Sequence, residues 1–410
     1  MSITLLPIPA LVLHNVRIGT LPLATVDTLR AHIDLRTLRD PVTVLPHIDL
    51  DGLTLRQEAL KKIPLWFQPG NQATIDIKMV RLYHSYLVIK KRTLGPVNAE
   101  IHLSPQGDLN NATITSLDRA LSIAVKPESK QRYRIAVKAR QWQPPYGPRL
   151  RFDELNASLL ANAGNLDVLA IKGKLYQGSF SGQGKLSWGN IWNLRGTLTS
   201  KAVQVQPLLS LLTDQVSATG RMDSSANYSA RAYASESLMR TLKLDGTFNI
   251  LQGTLYNVDL AEAARGSAQK DVRGGHTRFD EFSGALHLEN EEYRFKNMRV
   301  TSSLLNGSGK VNIAADKTVS GQVNVALKGS AGLINAPLEV VGTLDNPVLR
   351  LRRSALAGAV AGTMVLGPGL GTTIGIKASE MLDKLGDIFM GDSSTQPTET
   401  ARQNEPEKKP

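Results

Sequence analysis

The sequence predicts a mostly β protein: an elongated, curled antiparallel sheet of groove-like repeats, with a few short helices and a C-terminal helical segment. Three observations predict it. Apolar and polar residues alternate with a period of two along most of the chain. Gly, Asn and Asp turns separate the alternating stretches, many at the roughly 8–12 residue spacing of a meander. Aromatic residues make up 5% while Gly numbers 34 and Pro 20, a balance that favours short strands and tight turns over helical bundles.

The strands can be read off one by one. In "KQRYRIAVKAR", Tyr133, Ile135, Val137 and Ala139 share one parity; Arg132, Arg134, Lys138 and Arg140 share the other. "LDGTFNI" gives Leu244, Phe248 and Ile250 around Gly246, and "LHLEN" gives Leu286 and Leu288. "KVNIAA" gives Val311 and Ile313, and "GQVNVALKG" gives Val323, Val325 and Leu327. Successive side chains of a strand point to opposite faces, so each segment has one oily and one wet face. Turns are expected at Gly52, Gly70-Asn71, Gly107-Asp108, Gly164-Asn165, Gly189-Asn190 and Gly253.

Helices are expected at 205–213 and at 257–266, the second closed by Arg265 and a Gly266 C-cap. Residues 25–38 fit helix or strand, and the alternation of Ile33 and Leu35 favours strand. Four regions follow: β-repeats over 1–215, a second β region over 216–350, a Gly-rich apolar segment with an amphipathic helix over 351–390, and a disordered polar tail over 391–410. Residues 354–376 carry no charge and are long enough to span a bilayer. Their glycines and Pro368 favour a packed end-cap over a membrane insertion. In 377–390, Met381, Leu382, Leu385, Ile388 and Phe389 form one stripe suited to a membrane surface.

Composition excludes several classes. With no cysteine there is no disulfide, thiolate metal site or cysteine nucleophile. A net charge of +12 favours anionic partners. Lipid ranks ahead of nucleic acid because the basic residues sit in strands without aromatic stacking platforms. The opening "MSITLLPIPALVLHNV" has no basic n-region and is broken by Pro7 and Pro9, so it reads as neither signal peptide nor anchor. A long sheet with one wholly apolar face cannot stay open in water: it must curl, pair with a second sheet, or hold something oily.

From about 216 to 350 the order of elements is specific. "LDGTFNILQG" leads to a short helix, "TRFDEFSG" to a hairpin, and "SSLLNGSGKVNI" and "PLEVVGTLDNP" follow. This succession resembles the C-terminal region of AsmA-like envelope proteins of Gram-negative bacteria, relatives of TamB and YhdP. The stretch from Leu11 to Leu55 is more loosely similar to the family's early repeats. The resemblance implies a bridge-like lipid transporter, a periplasmic β-groove carrying phospholipids between inner and outer membranes. It also implies an inner-membrane anchor helix, which the first residues do not supply. The alternative it allows is a factor for outer-membrane protein assembly that docks client strands at sheet edges. The expected partners are phospholipids or other anionic envelope lipids, with membrane association and no nucleic acid. The lipid-groove candidates are Tyr133, Ile135, Val137, Phe248, Ile250, Leu286, Leu288, Val311, Ile313, Val323, Val325 and Leu327.

No catalytic, cofactor or metal site is expected. His276 reads as part of a Gly-Gly-His-Thr turn and His287 as a wet-face residue, and no H-E-x-x-H motif occurs among the seven histidines. Glu289, Glu291 and Glu292 surround a hairpin tip at Asn290, and Asp280 reads as a turn cap. "NGSGK" (306–310) lacks the first glycine and the Ser/Thr of a phosphate loop. "DLDGLTL" (49–55) lacks the third acidic ligand of a calcium loop, and no G-x-S-x-G elbow occurs. The basic cluster from Lys126 to Arg151 holds eight Lys/Arg against Glu128. It reads as a solvated strand face that discourages edge pairing, or as a contact for anionic head groups.

Overall fold

The computed structural model describes residues 2–4, 9–19, 23–61, 75–89, 92–129, 131–145, 149–211, 218–266, 271–329 and 332–352. The segments read above at 354–376, 377–390 and 391–410, and the Gly70-Asn71 turn, lie outside the described residues.

The first strands are β1 (Ser2–Thr4), β2 (Ala10–Ile18), β3 (Ala24–His32), β4 (Thr43–Leu45), β5 (Ile48–Asp51), β6 (Thr54–Arg56) and β7 (Ile75–Ile77). A meander follows: β8 (Met79–Ile89), β9 (Arg92–Leu103), β10 (Leu109–Ser116), β11 (Leu121–Ser129), β12 (Arg132–Trp142), β13 (Phe152–Ala161), β14 (Asn165–Leu175), β15 (Gly178–Ser187) and β16 (Trp192–Gln204). After the single-turn α1 (Gln206–Leu209) come β17 (Arg221–Ala232), β18 (Lys243–Tyr256) and α2 (Leu260–Arg265). The chain closes with β19 (His276–Glu289), β20 (Glu292–Thr301), β21 (Leu305–Ile313), β22 (Val319–Gly329), β23 (Gly332–Gly342) and β24 (Pro347–Leu351).

All but β4 and β7 join one 22-stranded sheet, which curls. From β8 to β24 every strand pairs antiparallel with the next, including β16 with β17 across residue 215. The sheet is mixed rather than wholly antiparallel. β5 and β6 lie end to end between β3 and β8, and both run parallel to β8. The crossover between β6 and β8 makes this possible, since parallel neighbours need a long connection. β4 and β7 form a separate parallel pair.

Several local expectations change. Gly253 is not a turn: it lies inside β18, buried, where an added Cβ would stand 2.3 Å from the Phe279 ring. Gly266 ends α2 in an extended conformation (φ −65°), not the left-handed cap. Of the described residues 205–211, Gln206–Leu209 are helical. β3 stops at His32, and Asp34 caps the 3-10 turn Leu35–Thr37 by accepting from the Arg36 amide at 3.0 Å, so Ile33 and Leu35 are not strand residues. "NGSGK" lies within β21, and Asp280 is an exposed residue inside β19 rather than in a turn. Asn290 and Glu291 do form a hairpin tip, both with positive φ, between the facing Glu289 and Glu292.

The largest core lies at the C-terminal end. There α2 packs on the sheet through Leu260, Ala263 and Ala264, in one cluster with Phe279, Leu305, Val325, Leu327 and Leu338. The helix is held by its N-terminus. Asp259 accepts from the Glu262 amide (2.9 Å), and the buried Thr277 hydroxyl donates to the Val258 carbonyl (2.7 Å) and accepts from the Leu260 amide (3.0 Å). Smaller clusters surround Leu155, Leu175 and Phe180, and Ala230, Ala232 and Leu238.

Candidate functional site: an apolar face shared by twenty strands

Directly opposed residues on neighbouring strands point to the same face, so the register shows what each face offers. One row starts on β2 and ends on β24. Leu13, Leu29, Leu50, Leu82, Ala99, Ile114, Ile123, Val137, Ala157, Ile171, Gly182, Leu198, Ala226, Gly246, Leu286, Phe295, Val311, Gly321, Val340 and Leu349 stand opposite one another in turn. No polar side chain interrupts it. A second row two residues along runs through Leu11, Ala31, Ile48, Val80, Ile101, Ala112, Val125, Ile135, Leu159, Val168, Gly184, Gly196, Tyr228, Leu244, Leu288, Tyr293, Ile313 and Val319, also without interruption.

The row of opposite parity reads Asn98, Thr115, Ser122, Lys138, Asn156, Lys172, Ser181, Thr199, Ser225 and Thr247. From β9 to β18 the two faces are chemically separate.

The apolar rows are sheltered but not closed. In the first, Ala99, Val340 and Leu349 are buried, Leu198 is 41% exposed, and the others are half-buried. At about 4.8 Å per strand, the row is on the order of 90 Å long along the sheet's path. Where the second row carries adjacent glycines, the next residue along it fills the space. A Cβ on Gly184 or Gly196 would stand 2.6 or 2.4 Å from the Tyr228 hydroxyl oxygen, so the phenol occupies the space that the two glycines leave. Burial pushes the Tyr228 and Tyr293 phenols above their ordinary pKa, Tyr293 with added repulsion from Glu291.

Every groove candidate lies on this face, in two environments. Tyr133, Ile135, Val137, Leu286 and Leu288 are half-buried, outside the clustered cores. Phe248, Val311, Ile313 and Val323 are half-buried but pack against the C-terminal core. Ile250, Val325 and Leu327 are buried within it.

The polar face carries the charge. Lys126, Arg132, Arg134, Lys138, Arg140, Arg149 and Arg151 are all exposed, with Arg134 paired to Glu128. A depression of about 900 Å³ near the C-terminal end is lined by Lys296, Arg299, Lys310 and Arg352 with no carboxylate. His287 sits between Asp245 (2.6 Å) and Glu289 (3.5 Å), an exposed ion-pair cluster that Lys243 extends. His276 and His287 are not brought together. His32 and His47 are, beside Asp49, which no motif in the sequence announced.

A family model, the AsmA family, matches residues 128–307. Over that span the chain is similar to the AsmA family. The matched span begins at the β11–β12 hairpin, includes α2, and ends in β21. It therefore takes in both the half-exposed rows and part of the covered core. No curated protein and no solved structure matches the chain. Among the described residues, no helix is long and apolar enough to cross a membrane, which says nothing of strands.

Proposed function

We propose that this chain is a cell-envelope protein that binds or conducts phospholipids along its apolar β-face, in outer-membrane lipid homeostasis. The observation that carries the reading is the pair of unbroken, half-exposed apolar rows. Their length suits alkyl chains better than a compact ligand, which would need a closed pocket with a few convergent polar groups. A sheltered methylene gains about 0.8 kcal/mol, so a sixteen-carbon chain half-covered by the sheet gains on the order of 5 kcal/mol. That suffices to hold a lipid and leaves it free to slide, because every step along the row presents the same surface. The reading is binding without covalent chemistry. The positive polar face supports anionic head groups as partners and an envelope location facing anionic membranes.

Docking of client strands at sheet edges has less support. Edge strand β1 has three residues, and β24 is closed by Val272, which exchanges two backbone hydrogen bonds with Leu349 (2.9 and 3.0 Å). Short or covered edges are the usual devices against strand addition.

The test is native mass spectrometry with lipid extraction on the full chain purified from a bacterial envelope. Several phospholipids per chain are expected, with fewer on Val137→Asp and wild-type numbers on Arg134→Glu. A folded chain free of lipid would remove the proposal.

A further inference from the structure

The N-terminal end of the polar face holds a group of side chains that the lipid reading does not use. His32 is the last residue of β3, His47 precedes β5, and Asp49 lies within β5. The His32 amide donates to the His47 carbonyl at 3.1 Å, which locks the two backbones side by side. The imidazoles stack, centroids 3.9 Å apart and 25° between planes. Both Nε2 atoms face one carboxylate oxygen: Asp49 Oδ2 is 3.3 Å from His32 Nε2 and 3.9 Å from His47 Nε2. The three side chains keep 14–16% of their surface exposed.

We propose that His32, His47 and Asp49 form a binding site for a borderline divalent transition-metal ion, of which Zn²⁺ is the type. Two imidazoles and a carboxylate are donors that such an ion takes, with the fourth position left to water. With ligand bonds of about 2.0–2.1 Å, the donor atoms of a tetrahedral site stand roughly 3.3–3.4 Å apart. The His32–Asp49 distance already matches, and the His47–Asp49 distance is wide by about half an ångström. The group is poorly satisfied without an ion. His32 Nδ1 and Nε2 and Asp49 Oδ1 are buried with no hydrogen-bond partner, the 3.3 Å approach lacking hydrogen-bond alignment. Burial, and then the neighbouring His32, hold His47 below the ordinary imidazole pKa, which favours the neutral donor form. The same surroundings set a limit. Arg81 and Arg30 stand opposite Asp49 in register, so cationic neighbours reduce the affinity.

The sequence repeats His-Ile-Asp-Leu at 32–35 and 47–50, and the copies are used differently. Asp34 turns away to cap the 3-10 turn, while Asp49 stays with both histidines. A bound ion would tie the end of β3 to the start of β5, where the sheet passes from the N-terminal hairpin to the mixed segment.

The experiment is equilibrium dialysis of the untagged full chain against Zn²⁺ alone, read by elemental analysis, with thermal unfolding in parallel. One saturable Zn²⁺ per chain and an unfolding temperature that rises with Zn²⁺ are expected. His47→Gln and the near-isosteric Asp49→Asn should each weaken binding at least tenfold, while His287→Gln leaves it unchanged. Circular dichroism of the metal-free variants separates lost binding from lost fold, and Asp49→Asn serves if His47→Gln does not fold. Absence of a saturable site in the wild type, or equal binding by folded Asp49→Asn, would overturn the proposal.

Discussion

The two ends of the apolar face are built from the same alternation and meet different fates. Between β9 and β12 the rows through Ile114, Ile123, Ile135 and Val137 stay half-exposed and outside the clustered cores. Over β22 to β24 the same face is covered: α2 packs on all three strands, and Leu338 and Val325 are 0% and 2% exposed. The difference is a six-residue helix. Short segments elsewhere bury smaller parts of the same face, Leu208 of α1 beside Leu155, Leu175 and Phe180 and Leu238 beside Ala230 and Ala232, and between them the face stays open to a ligand. Alternation alone therefore does not separate core from groove.

The comparison breaks most visibly under a buried charge. Val325→Asp places an unpaired carboxylate in the covered core, and a cost of several kcal/mol is expected. Cooperative unfolding in urea should shift strongly or be lost. Val137→Asp, half-exposed on the open rows and outside the clustered cores, should move the same midpoint little. Comparable losses from both would mean that the open stretch is a core too. Next comes Leu338→Ala, for which about 2–5 kcal/mol is expected from lost contacts and the cavity left behind, read as a lower urea midpoint at unchanged slope. Third, Thr277→Val removes the hydroxyl that joins the start of α2 to β19. About 1–3 kcal/mol is expected, and hydrogen exchange should speed up in α2 before it does in β12–β14.

The smallest effect involves two turns, one in each region. Asp118, between β10 and β11, is held below the ordinary carboxylate pKa by the Ser116 hydroxyl and then the Ala120 amide (2.9 Å). Asp316, between β21 and β22, is held down by the Thr318 amide (2.9 Å). Both folded values are depressed. Their contribution is present above the ordinary Asp pKa of about 3.9 and lost as pH falls through the lower folded value. Asp118→Asn and Asp316→Asn should each flatten the acid limb of the stability curve slightly and to a similar degree. A larger effect at Asp316 would mean that the covered region is more tightly coupled to its turns.

Much of the fold was legible because strand parity is a local signal: Tyr133, Ile135 and Val137 face one way whatever surrounds them. The hairpin tip at Asn290 was equally local. What failed was local chemistry overruled by packing. Gly253 reads as a turn, yet it is a strand residue beneath the Phe279 ring. The parallel entry of β5 and β6 depends on a crossover that no periodicity encodes. The split between open and covered rows was not legible either, because α2 is six residues long and its partners lie on strands far along the chain. A charge at Val325 consequently reads stability, whereas one at Ile123 or Val137 reads the open face. The histidine pair was hidden for a similar reason: His32 and His47 meet only through the β3–β5 register.

The central claim is that one face, continuous over the strands, carries the lipid. Site-specific photocrosslinking in the bacterial envelope tests it residue by residue, with the probe placed at Ile123, Val137 and Leu286 and at their sequence neighbours Ser122, Lys138 and His287. Lipid adducts at the first three positions and not at the second three are the predicted result. Adducts without regard to parity, or at none of the six, would contradict the account.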